Sequence, residues 1–341
     1  MTQFGMRVAT ACAMGALAIG VAACGDDSGS DSSSSSGSSG GGGGGDKVVV
    51  GLITKTESNP FFVKMKEAAQ AAAKANNAEL TTAAGKTDTD VQTQITAMEN
   101  MVTRGAKGIL ITPGQSKAIV PAMEKARAAG VTVIALDTPP EPEDAADALF
   151  ATDNEKAGEL IGSWAKAKFD KDGTEPKVVT IDLAPGVSVG ILRHNGFLKG
   201  FGITDKEVLG HADANGDQAK AQGAMENLLQ KVPDVNLVYT INEPSAFGAY
   251  QALKAAGKEK GVTIVSVDGG CQAIKEGIIP GVIAATSQQY PQNMAKLGVE
   301  AIAKGTKPKG YTDTGVTLIT DDPQDGVESK DSKFGTENCW G

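Results

Sequence analysis

Ala106-Lys107-Gly108-Ile109-Leu110-Ile111-Thr112-Pro113 leads through a helical stretch to Lys125-Ala126-Arg127-Ala128-Ala129-Gly130 and on to Val131-Thr132-Val133-Ile134-Ala135-Leu136-Asp137. Short apolar runs bounded by turn residues read as buried parallel strands, and the Ala-Gly between them as a helix C-cap. The same grammar returns later. Val235-Asn236-Leu237-Val238-Tyr239-Thr240-Ile241-Asn242 leads to Leu253-Lys254-Ala255-Ala256-Gly257 and then Val262-Thr263-Ile264-Val265-Ser266-Val267-Asp268. Each copy reads strand, polar residue, helix, Ala-Gly, strand, Asp.

Working outward, apolar runs at 48–53, 108–111, 131–136, 178–181, 237–241 and 262–267 read as strands. Stretches of helical period fall at 61–75, 91–103, 118–128, 155–169, 219–230, 245–255 and 292–303. Strands alternating with helices mean an α/β fold with parallel sheets. Two similar halves suggest two lobes. In both, a polar residue and an Asp sit just past strand carboxyl ends, where open α/β sheets bind ligands. Two such edges face to face make a cleft.

The N-terminal segment has another character. Arg7 precedes an uncharged apolar run, 8–23, then Cys24, then Gly25-Asp26-Asp27 and nearly pure Ser and Gly to Gly45. The run is short for a membrane span of about 20 residues and reads as a signal peptide over 1–23. Val21-Ala22-Ala23-Cys24 resembles a bacterial lipobox, which makes Cys24 the expected lipidation site and membrane anchor. Cleavage by ordinary signal peptidase, giving a free secreted protein, is the alternative. Residues 24–45 are too polar to bury a core and read as a flexible linker.

Net charge is −9, and there is no basic run. Both argue against nucleic acid as a partner. Of four cysteines, Cys12 leaves with the signal peptide and Cys24 is the lipidation site. Cys271 and Cys339 remain, and export to an oxidising compartment predicts a disulfide between them. The two histidines, His194 and His211, show no metal-ligand spacing, so no metal or cofactor is expected. Gly85-Lys86-Thr87 mimics a phosphate loop, but the required earlier Gly is Leu80.

Asn59-Pro60-Phe61-Phe62, Ile134-Ala135-Leu136-Asp137, Ala151-Thr152-Asp153-Asn154, Arg193 with Gly196-Phe197, Thr240-Ile241-Asn242-Glu243, Val267-Asp268-Gly269 and Gln288-Gln289-Tyr290-Pro291 are spread over nearly all of the chain after the linker. Together they resemble the periplasmic sugar-binding proteins of ABC transporters, of the ribose/fructose type. Phe61 to Glu67, Ser266 to Cys271 and the final Cys339-Trp340-Gly341 look most like the fructose-binding branch. The resemblance implies a two-lobed type I periplasmic-binding-protein fold, joined by a multi-strand hinge. The lobes are expected at 46–152 plus 290–318 and at 153–289 plus 319–341.

It also implies a ligand set: Lys55, Asn59, Phe61, Phe62, Asp137, Arg193, Asn242, Asp268 and Gln289. Aromatic faces stack on sugar C–H faces, carboxylates hold neighbouring hydroxyls, and amides both donate and accept. Blander readings stand beside these. Asn59 suits an N-cap with Pro60 in the first helical turn, either Phe can be core, and an Asp after a strand is often a cap or turn residue. Arg193 alone reads as a solvated helical residue, and Asn242 or Gln289 as a turn or surface residue.

The family's pattern is broken in two places. Thr138 stands where the ribose type has Arg, and Asp213-Ala214-Asn215-Gly216-Asp217 lacks an expected aromatic. The expectation is therefore a monosaccharide, fructose first and ribose or a related sugar next. The expected protein is a monomeric, lipid-anchored, extracytoplasmic receptor that serves an ABC permease and makes or breaks no bond. A sugar-sensing receptor of the same fold, and a secreted sugar-active enzyme using Asp137 and Asp268, are the alternatives.

Overall fold

The computed structural model describes residues 47–341. The signal peptide, Cys24 and the linker expected at 1–45 lie outside the described residues.

Two six-stranded sheets form. The first has the order β11-β5-β4-β3-β1-β2, all parallel, from β1 (Val49–Thr54), β2 (Glu79–Ala84), β3 (Gly108–Ile111), β4 (Thr132–Leu136), β5 (Ala148–Ala151) and β11 (Gly310–Asp313). The second has the order β12-β10-β9-β8-β6-β7, from β6 (Val178–Asp182), β7 (Gly210–Asp213), β8 (Leu237–Thr240), β9 (Thr263–Asp268), β10 (Ala285–Gln289) and β12 (Val316–Ile319). Only β12 runs antiparallel to its neighbour, β10. The order 2-1-3-4-5 in one lobe is matched by 7-6-8-9-10 in the other, so the internal repeat in the sequence is a repeat of topology.

Helices α1 (Pro60–Ala75), α2 (Val91–Thr103), α3 (Val120–Ala128) and α8 (Pro291–Ala303) serve the first lobe. Helices α4 (Asn154–Asp172), α5 (Ser188–Phe201), α6 (Gln218–Lys231), α7 (Glu243–Ala255) and α9 (Ser332–Asn338) serve the second. The central strands are buried on both faces. Val50, Leu52, Leu110, Ile134 and Leu136 face one side of the first sheet, and Ile53, Ile109, Ile111, Val133 and Ala135 the other. Each such Val, Leu or Ile side chain contributes roughly 1.5–3 kcal/mol.

Two expectations are corrected. The last crossing between lobes lies at 314–315, not after 318, because Val316 to Ile319 complete the edge beside β10. Its approach, β11, is polar and exposed, so no apolar run marks it. Within 319–341, Ile319, Phe334 and Cys339 pack with the second lobe, but Trp340 is buried in the first lobe's core beside Phe61.

One helix, α5, has no clear signal in the periodicity because glycines interrupt it. They are there for packing. A Cβ on Gly158 of α4 would lie 2.0 Å from the carbonyl oxygen of Arg193, and one on Gly196 of α5 2.0 Å from that of Glu155. The two backbones are nearly in contact, and this sets where Arg193 starts.

Candidate functional site

The expected ligands collect at the carboxyl ends of the strands. Asp137 follows β4 and Asp268 ends β9, and both carry positive φ, 61° and 107°. Such backbone costs free energy for a non-glycine residue and clusters at functional sites. It turns each carboxylate off its strand into the interlobe space. Both side chains are buried.

Arg193 is also buried, and it comes from α5. Its Nη2 lies 3.4 Å from Asp137 Oδ1 and its Nη1 lies 3.3 Å from Asp268 Oδ1. Nη1 also donates to the Ile241 carbonyl at 3.1 Å, and Nε to Asn154 Oδ1 at 2.8 Å. Asn154 in turn donates to the carbonyls of Asp137 and Thr152. A rigid fork of donors thus spans both lobes. The reading of Arg193 as a solvated residue does not hold.

Gln289, at the end of β10, donates from Nε2 to Asp268 Oδ1 at 2.8 Å, while its buried Oε1 has no partner. Burial raises the pKa of Asp268 and Asp137 adds to this, while Arg193 and Gln289 oppose; the result is about 7.

Lys55, just past β1, is almost wholly buried. Its Nζ lies 3.9 Å from Asp88 Oδ2 and 6.0 Å from the centre of the Phe62 ring. The lysine-carboxylate distance is beyond hydrogen-bond range, so the ammonium donors are free for a ligand. Asp88 was missed in the sequence, hidden behind the mimic of a phosphate loop. Burial pushes its pKa up, opposed by Lys55 and assisted by Asp137.

Asn59 and Asn242 take the capping role in this structure. Asn59 Oδ1 accepts from Phe61 N at 2.9 Å, and Asn242 Oδ1 from Ser245 N at 3.2 Å. Asn242 also donates to the Gly216 carbonyl. Phe61 packs edge-on against both Phe62 and Trp340.

A cavity of about 330 Å³ opens between Thr56, Asn59 and Asp88 of the first lobe and Asn215, Lys220 and Glu243 of the second. That is the lower end of small-molecule sites. Asn59 alone of the nine expected ligands lines it. The others lie deeper or turn to structural partners. Glu243 accepts from the backbone N–H groups of Gly270 and Ala273, and burial followed by the charge of Asp268 raises it to about 7. It follows Asn242 directly, but nothing in the sequence distinguishes it from an ordinary first-turn acid.

The lobes touch beside the site. Ser116 N donates to the Gly186 carbonyl at 3.0 Å, Ser116 Oγ to Ser188 Oγ at 2.8 Å, and Ser188 Oγ to the Pro139 carbonyl at 2.6 Å. Among the described residues, no group of three His, Cys, Asp or Glu is placed to hold a metal ion, and no helix is long and apolar enough to cross a membrane.

Residues 50–307 match the family described as periplasmic binding protein domain. The ribose import binding protein RbsB of Bacillus subtilis is 33% identical over 254 residues, covering 74% of this chain and 79% of that protein. The D-ribose/D-allose-binding protein of Pseudomonas aeruginosa is 29% identical over 81% of this chain and 89% of its own length. Among solved structures, a solute binding protein from Agrobacterium vitis with bound D-fucose superposes with a TM-score of 0.74 at 27% identity, covering 86% of this chain and all of that one.

Proposed function

The chain belongs to the periplasmic binding protein family, and we propose that it captures a monosaccharide between its lobes and delivers it to an ABC permease. The observation that carries this is Arg193 held between one carboxylate from each lobe, beside an unpaired amide oxygen and a buried ammonium. Fixed donors and acceptors in a closed cleft suit a neutral polyol. Closing the lobes assembles the contacts and excludes water, and the closed shape is what a permease would read. No bond is made or broken.

Fructose ranks first among the sugars, with ribose or a related sugar next. Thr138 in place of an Arg, and Lys55 buried beside Asp88, support a ligand other than ribose. The lipid anchor on Cys24, with the folded part outside the cytosol, belongs to the same proposal. It predicts incorporation of labelled palmitate that Cys24→Ser abolishes. A sensory receptor of the same fold has no separate observation in its favour.

The test is calorimetry on the purified protein, unfolded and refolded to strip retained ligand, against fructose, ribose, glucose, galactose, xylose and sugar alcohols. One-to-one binding of one sugar, lost in Asp137→Ala and Asp268→Ala, is the expected result. Heat from none of them in a folded sample would sink the proposal.

A further inference from the structure

Trp340 is almost fully buried, and it belongs to neither lobe alone. Its indole lies 5.4 Å from Phe61 at 79°, and Phe61 lies 5.4 Å from Phe62 at 87°, so three rings form a continuous edge-to-face row. Nε1 donates to the Gln289 carbonyl at 2.7 Å. The Trp340 carbonyl accepts from Cys271 N at 2.8 Å, and neighbouring Cys339 is disulfide-bonded to Cys271. The indole also presses on Gly270, where an added Cβ would sit 3.1 Å from Cζ3.

Each contact abuts a residue of the proposed sugar site. Phe61 and Phe62 are the expected stacking pair, Gln289 is the hinge amide, and Gly270 and Cys271 immediately follow Asp268 and Gly269. Trp340 is thus fastened to the second lobe by a covalent bond and a backbone hydrogen bond, while its ring sits in the first lobe's core.

We propose that Trp340 is a positioning residue for sugar binding: held by the Cys271–Cys339 disulfide, it backs the Phe61–Phe62 pair and fixes the Gln289 backbone at the hinge. Its loss frees the Phe61 ring and loosens the backbone that aims Gln289 at Asp268. This rests on the sugar-binding reading and adds to it a residue that does not touch the ligand.

The chain has two tryptophans, and the other, Trp164, is deep in the second lobe, donating to the Asp322 carbonyl. Trp164→Phe therefore leaves Trp340 as the single tryptophan, excited selectively over the tyrosines, with its surroundings untouched. In that variant, the sugar identified by calorimetry should change Trp340 emission in a saturable way, with the calorimetric Kd. Trp340→Ala should weaken binding about tenfold, the scale of lost aromatic contacts, and Trp340→Phe should recover most of it.

Silent Trp340 emission on saturation, or a folded Trp340→Ala that binds as tightly as the wild type, would overturn the proposal while leaving the sugar reading intact. If the wild type binds no sugar, the sugar reading fails and this proposal falls with it. The fluorescence arm decides even if Trp340→Ala does not fold.

Discussion

Arg193, carried by the second lobe, reaches to within 3.4 Å of Asp137, carried by the first. The same guanidinium meets Asp268 at 3.3 Å. The lobes are therefore joined by a charged contact, and separating them would expose its members to water. Buried ion pairs are tolerated when every donor and acceptor is satisfied. Here Asn154, the Ile241 carbonyl and Gln289 complete much of the network.

Removing the arginine should be costly. Arg193→Ala leaves two buried carboxylates without their counter-charge, and the expected loss is about 3–5 kcal/mol in urea unfolding. Adding Asp268→Asn to Arg193→Ala should restore part of this, because one uncompensated charge is removed. A single variant that loses under about 1 kcal/mol, the range of exposed pairs, would show that the pair is solvated.

Gly158→Ala tests how Arg193 is positioned. The new Cβ would collide with the Arg193 carbonyl, forcing α4 and α5 apart. Overpacking of this kind costs about 1–3 kcal/mol or more, and sugar affinity should fall with it. Gly223→Ala in α6 is the control, since its Cβ meets nothing within 4 Å. It should gain up to about 1 kcal/mol in melting or urea experiments and leave affinity unchanged.

His194 makes stability pH-dependent on the alkaline side. Burial would lower its pKa, but hydrogen bonds and charge from Asp182, and then from Asp205, outweigh it and raise the pKa to about 9. A raised pKa means that the folded state holds the proton more tightly. The stabilisation is complete below pH 6.5, the unfolded value, and is lost as pH rises through about 9. His211, raised chiefly by its hydrogen bond to Asp182, acts in the same sense. Asp268, raised to about 7, loses its contribution earlier, between pH 4 and 7. Melting temperature should therefore fall from pH 6.5 to 10, and His194→Gln should flatten that limb. Parallel curves for the two proteins would refute the assignment.

The Cys271–Cys339 bond closes a loop with a sequence separation of 68. Chain entropy alone assigns such a loop about 4 kcal/mol. Cys271→Ser should lower the urea midpoint accordingly, and thiol reductant should do the same to the wild type but not to the variant. An equal effect of reductant on both would show that the bond is absent in solution.

Much of the frame was legible. The runs at 108–111, 131–136 and 262–267 are apolar because parallel strands are covered on both faces, and their residue order reports this without any tertiary knowledge. Asp137 and Asp268 stood out because they end matching copies of one pattern. The α5 helix was hard to read, since Gly190, Gly196 and Gly200 break its periodicity for reasons that lie in its neighbours. Polar, exposed β11 carried no core signal, so the last lobe crossing was placed several residues late.

By itself the sequence determined the α/β alternation, the doubled lobe and the residue types at the strand ends, because periodicity and turn chemistry are local. Only the tertiary structure decided which of those residues meet. It placed Arg193 between two aspartates, turned Asn59 and Asn242 to capping, brought Asp88 to Lys55, and carried Trp340 back to Phe61. Those contacts join residues far apart in the chain. Their partners are chosen by how sheets, helices and lobes pack, which no single stretch of sequence encodes.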